Sequence, residues 1–384
     1  MKQVVCLSTS NWHPFPTRKH QVMSRLKNAD VLYFEPPVTW LAPFKDRAAF
    51  ARLLPGRPER AAPNITVFAV PPVLPFFNRW RFINKLNMRL QARFVRKVMA
   101  RRGFEKPLLW VYSPTAADIA ARIPHGGLVY DCVDRHSAYK GHINPAVVDG
   151  MEADLARAAD TVFATAKGLY DTLKAYNERT FLIPNGANFE LFNSAASPKG
   201  TQSPAIPAPA AFDGIPRPVF GFAGALQECI DYGMVRHAAL ERPEWSFVFV
   251  GKRIPGADLS PLAGLPNVYL TGLVPHEELP GCIARFDVCL NLFKSGDLSR
   301  DVSPLKFYEY LATGKPIVST PHPLQALDYA DVIHIAADGP ELVSCCARAL
   351  DEAAGGGAGA RRRVEYGRAA SWDARVAEME RLLN

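Results

Sequence analysis

The chain has 384 residues, 48% of them hydrophobic and 21% charged, with a formal net charge of +8 at pH 7. That composition can fill large cores, and the length divides most naturally into two domains of about 150–200 residues. No apolar run approaches the roughly 20 residues of a membrane-spanning helix, and the apolar run in MKQVVCLSTS is too short for a signal peptide.

Charge is unevenly spread. Residues 1–192 hold 27 Lys and Arg against 15 Asp and Glu, and the remainder holds 18 against 22. A basic half joined to a mildly acidic one indicates that the N-terminal half meets something anionic. The seven cysteines (Cys6, Cys132, Cys229, Cys282, Cys289, Cys345 and Cys346) show no Cys-x-x-Cys and no pairing with His. They read as reduced core thiols of the cytosol, and no metal site is expected.

In chain order, short apolar runs alternate with helical segments. The first series is VVCLST (4–9), DVLYFEP (30–36), ITVFAV (65–70), LLWVYS (108–113), GLVYDCV (127–133), TVFATA (161–166) and TFLIPN (180–185). The stretch 197–218 carries six prolines and reads as a semi-extended linker. A second series follows: VFGFAGA (219–225), SFVFVG (246–251), VYLTG (268–272), VCLNLF (288–293), PIVST (316–320) and VIHIA (332–336). These strands lack polar alternation, as expected of parallel sheets covered on both faces. A Gly-rich stretch, 353–363, breaks the last helices, and 371–384 is an amphipathic helix with Trp372, Val376, Met379 and Leu383 on one stripe. The expected organisation is α/β with two doubly wound Rossmann-like domains: 1–192 completed by the helix 371–384, a linker over 193–218, and 219–370.

Ligands of open parallel sheets bind at the carboxyl ends of strands, often at helix N-termini. DVSPLKFYEYLATGKPIVST (301–320) is built that way: a polar loop, then a helix with Ser303 as its expected N-cap and Pro304 near its first position. Backbone donors, Lys294, Arg300 and Lys306 would surround one helix start and suit a phosphate or diphosphate. Glu309 lies about one and a half turns on, between Tyr308 and Tyr310. The plainer alternative is a core helix whose Lys306 and Glu309 form an i,i+3 pair. Gly221, Gly224, Gly251 and Gly272 close successive strands and would let a ligand approach the backbone.

These segments, with LIPNGANFELF (182–192), resemble the GT-B glycosyltransferases of the large family 4 type, nearest the polysaccharide and teichuronic-acid transferases. The likeness is strong over about 180–330 and looser before it. It implies two Rossmann-like domains facing a central cleft and a nucleotide-diphosphate sugar as donor substrate, with no metal and no cofactor. It matches Asp301 and Glu309 to the family's two acids, with Glu309 on the ribose hydroxyls and Asp301 on the donor sugar. Asp301 stands where the family usually has Glu, and Ser303-Pro304 replaces the usual Gly, so the Ser303 and Leu305 amides and Lys306 would bear the phosphates. The basic pair expected after 219–225 is absent from GALQECIDYG, leaving Lys252, Arg253, Arg300 or Lys306 to neutralise the diphosphate.

On the acceptor side, STSNWHPFPTRKHQ offers His13 as a catalytic candidate and Arg18, Lys19 and His20 as contacts to diphosphate or acceptor near the first strand end, with His13 and His20 as ordinary solvated loop residues in the alternative. GLVYDCVDRHSAY offers Asp131, Asp134, Arg135 and His136. The resemblance matches Asp134 to an acid that acts as general base in some inverting GT-B enzymes, and implies a substrate contact if the reaction retains, as in family 4; a helix cap is the plain alternative. The stretch 79–102 carries nine Lys or Arg and no acid among apolar residues. It reads as a helix lying against anionic lipid, or as an amphipathic helix with a solvated basic face. The expectation is a glycosyltransferase of cell-surface polysaccharide synthesis with a saccharide or lipid-linked acceptor. It is expected in the cytoplasm or peripherally on the inner membrane face, without a nucleic-acid partner. The alternatives are a GT-B-like nucleotide-sugar epimerase and a non-catalytic nucleotide-sugar or membrane-binding subunit.

Overall fold

The computed structural model describes residues 1–53, 56–139, 141–196, 210–355 and 357–383. It divides into two compact units, Met1–Pro184 with Val376–Asn384, and Asn185–Arg375. Most of the proline-rich stretch, 197–209, lies outside the described residues.

In the first unit the strands are β1 (Lys2–Leu7), β2 (Ala29–Phe34), β3 (Glu59–Ala62), β4 (Ile65–Phe68), β5 (Leu108–Val111), β6 (Gly127–Cys132), β7 (Thr161–Ala164) and β8 (Thr180–Leu182). Among the described residues they form one sheet in the order β3-β4-β2-β1-β5-β6-β7-β8. All neighbours run parallel except β3, an antiparallel edge strand that the sequence did not announce. Its ERAA has neither apolar alternation nor β-branched residues, and it exists by pairing with β4. The longer helices are α1 (Arg18–Arg25), α2 (Arg81–Arg102), α3 (Pro145–Ala158) and α4 (Lys167–Lys174). The period of two is visible in the cores. Val5, Leu109 and Leu128 pack with Met88 and Val95 of α2 on one face, while Val4, Cys6 and Trp110 pack on the other with Val376 and Met379.

In the second unit the elements are α5 (Phe189–Ala196), β9 (Val219–Ala223), α6 (Tyr232–Glu241), β10 (Ser246–Val250), β11 (Val268–Gly272), α7 (Leu279–Arg285), β12 (Val288–Asn291), α8 (Leu305–Thr313), β13 (Ile317–Ser319), β14 (His334–Ile335), α9 (Gly339–Gly355), α10 (Ala358–Ala369) and α11 (Trp372–Leu383). Among the described residues the sheet order is β11-β10-β9-β12-β13-β14, all parallel. β11 is half-exposed because it is an edge, and β14 is shorter than the run VIHIA implied. Phe220 and Phe222 of β9 face one core, and Val219 and Ala223 the other.

The boundary between units falls at Pro184, not after residue 192. Asn185 is tied into the second unit, its N–H donating to Ser303 Oγ (3.2 Å) and its Nδ2 to the Ser303 carbonyl (2.7 Å). The terminal helix is likewise divided. Trp372 N–H donates to the Ala187 carbonyl (3.0 Å), whereas Val376 and Met379 are core residues of the first unit. No described helix is long and apolar enough to cross a membrane.

Candidate functional site

Each sheet reverses its winding at one point, and in open parallel sheets such a point marks a ligand crevice at the carboxyl ends of the strands. In the second unit the reversal separates β9 from β12. Gly224 follows β9 with φ +138°, a conformation that favours glycine, and its carbonyl lies where a Cβ on Gly251 would come within 2.0 Å. The two strand-end loops thus pack backbone on backbone. The loop after β9 also meets the loop after β12, with Lys294 N–H donating to the Cys229 carbonyl (2.8 Å) and Ile230 bridging to Phe293.

Helix α8 is seated against these strand ends by its tyrosines. Tyr310 Oη accepts the Ala223 N–H (2.7 Å), and the Tyr308 and Ser303 hydroxyls share a hydrogen bond (3.0 Å). Ser303 does not cap the helix: Pro304 occupies the N-cap position, and the Ser303 hydroxyl is engaged with Tyr308 and Asn185. The αL residue Gly314 closes the helix.

Lys306 reaches back over the strand ends. Its Nζ stands 3.8 Å from the Phe222 ring centroid and 4.8 Å from that of Phe293, and a Cβ on Gly224 would lie 3.4 Å from it. Burial pushes Lys306 down to about 7, against the opposing influence of Cys229 and Glu309. Burial raises Glu309 to about 7, with Lys306 pulling the other way. The i,i+3 spacing puts both on one face of α8, in an environment that resists either charge. Asp301, Ser303 and Glu309 are all buried, not exposed at the helix start as their polarity suggested. Leu305, half-buried, is the first residue of α8, and Arg300 is exposed. Lys252 and Arg253 are exposed after β10, and the Arg253 guanidinium donates to the Ala257 carbonyl. The structure therefore joins Gly224, Lys306 and Glu309. It adds Phe222, Phe293 and Asn185, whose roles had no signal in the sequence beyond lying at strand ends.

In the first unit the reversal separates β1 from β5. Here the candidates divide. Arg18, the first residue of α1, forms a buried ion pair with Asp131 of β6, its Nε donating at 3.0 and 3.1 Å to the two carboxylate oxygens and Nη1 to the Pro184 carbonyl (3.1 Å). Both are spent on each other and on the fold. His20 belongs to a capping box with Thr17, and its Nε2 lies 2.6 Å from the Trp12 carbonyl, so it holds the loop together. His13 is 68% exposed and pairs with Glu59 on the edge strand.

Asp134 and His136 come together with Lys19. Asp134 is exposed and accepts the Tyr139 hydroxyl (3.0 Å). His136 lies with Nε2 3.1 Å from the Tyr112 carbonyl, and burial lowers it to about 4 against the pull of Asp134. It is neutral at pH 7. A carbonyl can only accept, so Nε2 carries the hydrogen and Nδ1 is left as an acceptor. Lys19 is buried beneath, its Nζ 5.4 Å from the Tyr112 ring, and burial lowers its pKa while Asp134 opposes that. Among the described residues no group of three or more His, Cys, Asp or Glu could hold a metal.

Two Rossmann-like units of parallel strands define the GT-B class of fold. Residues 217–352 match the family model Glycosyl transferases group 1. TuaH of Bacillus subtilis (strain 168), named as a teichuronic acid biosynthesis glycosyltransferase, is 29% identical over 229 residues, and the match spans 56% of this chain and 56% of that relative. The α,α-trehalose 6-phosphate synthase of Burkholderia multivorans has a TM-score of 0.68 at 13% identity, covering 100% of this chain and 98% of that one. HepE of Anabaena, solved in complex with UDP, has a TM-score of 0.66 at 13% identity, covering 100% and 99%. At these identities the likeness to both solved structures is one of fold.

Proposed function

We propose that this protein transfers a sugar from a nucleotide-diphosphate donor to a hydroxyl of a saccharide or lipid-linked acceptor, in the synthesis of a cell-surface polysaccharide. The observation that carries the reading is the convergence of Gly224, Lys306 and Glu309 at the reversal of the second unit's sheet. The matched family and the UDP bound by HepE support the same reading. Glu309 would accept the ribose hydroxyls, Lys306 would neutralise the diphosphate, and Asp301 would lie toward the sugar. In the reaction the bond from the anomeric carbon to the diphosphate oxygen breaks and one to the acceptor oxygen forms. The acceptor proton leaves to a base or to the departing diphosphate, whose charge Lys306 stabilises. A retaining outcome is the reading favoured here, with Asp134 as a substrate contact; an inverted product by NMR would make Asp134 the base. A panel of nucleotide sugars in isothermal titration tests the donor reading, which fails if none binds.

The same site predicts proton exchange on binding. At pH 8 the free protein holds Lys306 mostly neutral, and a diphosphate beside it favours the ammonium, so binding takes up a proton. At pH 6 free Glu309 is mostly protonated, and ribose hydroxyls favour its carboxylate, so binding releases one. Nucleoside-diphosphate titrations in buffers of different ionisation enthalpy should give fluxes of opposite sign at the two pH values. Lys306→Met should remove the uptake and leave the release; unchanged uptake in that variant would take Lys306 off the phosphates.

We propose further that α2 lies on an anionic membrane. Of its apolar residues, Val95, Val98 and Met99 are buried while Phe82, Leu86 and Leu90 form a second stripe, exposed, flanked by exposed Lys85, Arg89 and Arg93. Arg81 is not part of it, being paired with Asp118 and Asp154. At about 1 kcal/mol per basic residue near such a surface, changing Arg89, Arg93 and Arg96 to Gln should weaken binding to anionic vesicles about a hundredfold. Co-sedimentation that is insensitive to the triple change would count against the face.

A further inference from the structure

The first unit contains a cavity of about 370 Å³ at the carboxyl edge of its sheet, beside the reversal between β1 and β5. That volume lies within the range of small-molecule sites. Its buried wall is apolar, with Phe34, Val70, Met88, Val95, Ala116 and Ile119 contributing. Several polar side chains among these walls are already engaged: Glu35 accepts the Trp12 N–H (2.8 Å), and the Ser113 and Thr115 hydroxyls share a hydrogen bond (2.8 Å). Ser8 Oγ is bonded to Tyr33 Oη and the Ser10 carbonyl, and Gln91 Nε2 donates to the Pro71 carbonyl. The deep part therefore offers contact to hydrocarbon and few hydrogen bonds to anything else. The other side is different. Asp134 and Tyr139, both exposed, mark a mouth at which His136 presents its free acceptor and Lys19 lies below.

We infer that this cavity is a hydrocarbon subsite, holding an alkyl or isoprenyl segment of an amphiphilic acceptor while a hydroxyl next to that segment lies against Asp134 at the mouth. The acceptor role rests on the transferase reading; the hydrocarbon specificity rests on the cavity and on the helix that walls it. Helix α2 supplies a reason to favour lipid over an aromatic group. One face of it lines the cavity through Met88, Gln91 and Val95, and its opposite stripe of Phe82, Leu86 and Leu90 is exposed among basic residues. A single helix thus separates the cavity from the surface best suited to meet a bilayer.

The test uses methyl, hexyl and octyl glucoside as monomers, titrated into the full chain. Full burial of a methylene is worth about fourfold in affinity, so octyl should bind at least about tenfold more tightly than methyl, with hexyl between. Ala116→Trp should fill the cavity and bring octyl down to the methyl level, while hydrogen exchange of the β6 segment stays as in the unaltered chain and reports that this unit is folded. No gain with chain length overturns the inference without any variant, and so does unchanged octyl binding in Ala116→Trp. If octyl binding behaves as expected but no nucleotide binds, the subsite stands and the transferase reading falls. If nucleotides bind and chain length has no effect, the subsite alone is lost.

Discussion

Replacing Asp131 by Asn is expected to destabilise the first unit by about 3–5 kcal/mol, because it takes away the carboxylate that the buried Arg18 guanidinium is paired with. Arg18 is 3% exposed and Asp131 fully buried, so water cannot take the carboxylate's place. The pair also joins α1 to β6, and through Nη1 to the Pro184 carbonyl it holds the last residue of the unit's main segment. Hydrogen exchange of the β6 segment in the full chain is a suitable readout, since it reports this unit separately from the other. Protection there should fall about a hundred- to several-thousandfold if exchange follows unfolding of the unit. The double change Arg18→Met with Asp131→Leu should recover much of the loss, because two apolar groups of similar size carry no desolvation cost. A single variant within about 1 kcal/mol of the parent would mean that the pair is dispensable and Asp131 is available for another role.

The second large effect is at Glu309. Glu309→Ala is expected to weaken nucleoside-diphosphate binding at least about a hundredfold, since a carboxylate accepting two hydroxyls makes two charge-assisted hydrogen bonds worth about 1.5–3 kcal/mol each. Glu309→Gln keeps one acceptor oxygen and should lose about ten- to a hundredfold. Stability should move differently. Burial raises this carboxyl to about 7 against an ordinary value of 4.5, so between those values the folded state binds more protons than the unfolded one. The contribution of Glu309 to stability is therefore complete below about pH 4.5 and declines as pH rises toward 7. Glu309→Gln should abolish that decline and leave the protein at least as stable at pH 7. The binding claim fails if the loss is no greater for a ribonucleotide than for its 2′-deoxy analogue, because the carboxylate would then not be reading the ribose.

Much of this molecule was legible in its sequence because parallel strands covered on both faces write themselves as plain apolar runs. The runs 219–225, 246–251 and 288–293 contain β9, β10 and β12, and Gly224 and Gly251, at the ends of the first two, turn with positive φ. The edge strands β8, β11 and β14 likewise fall inside the runs 180–185, 268–272 and 332–336, whereas the edge strand β3 was not legible, because ERAA has no apolar signal of its own and depends on its neighbour β4. Helix α2 was visible as a helix, but its packed stripe could not be told from its exposed one, since Phe82 and Val95 are equally apolar and only contact decides between them.

Composition and order by themselves determined the α/β class, the second apolar series after a proline-rich stretch, and the closeness of Lys306 to Glu309, which follows from i,i+3 spacing on any helix. Only the tertiary structure decided which polar residues are spent on the fold. Arg18, Asp131, His20 and Ser303 have the same chemistry as binding residues, and each was taken up by a partner far off in sequence or by a local cap. The physical reason is that a buried polar group must be satisfied, and whether by protein or by ligand depends on what the fold brings within hydrogen-bond distance. The same reasoning leaves Glu309 and Asp134, the one buried beside a lysine and the other exposed at a cavity mouth, as the carboxylates best placed to meet a substrate.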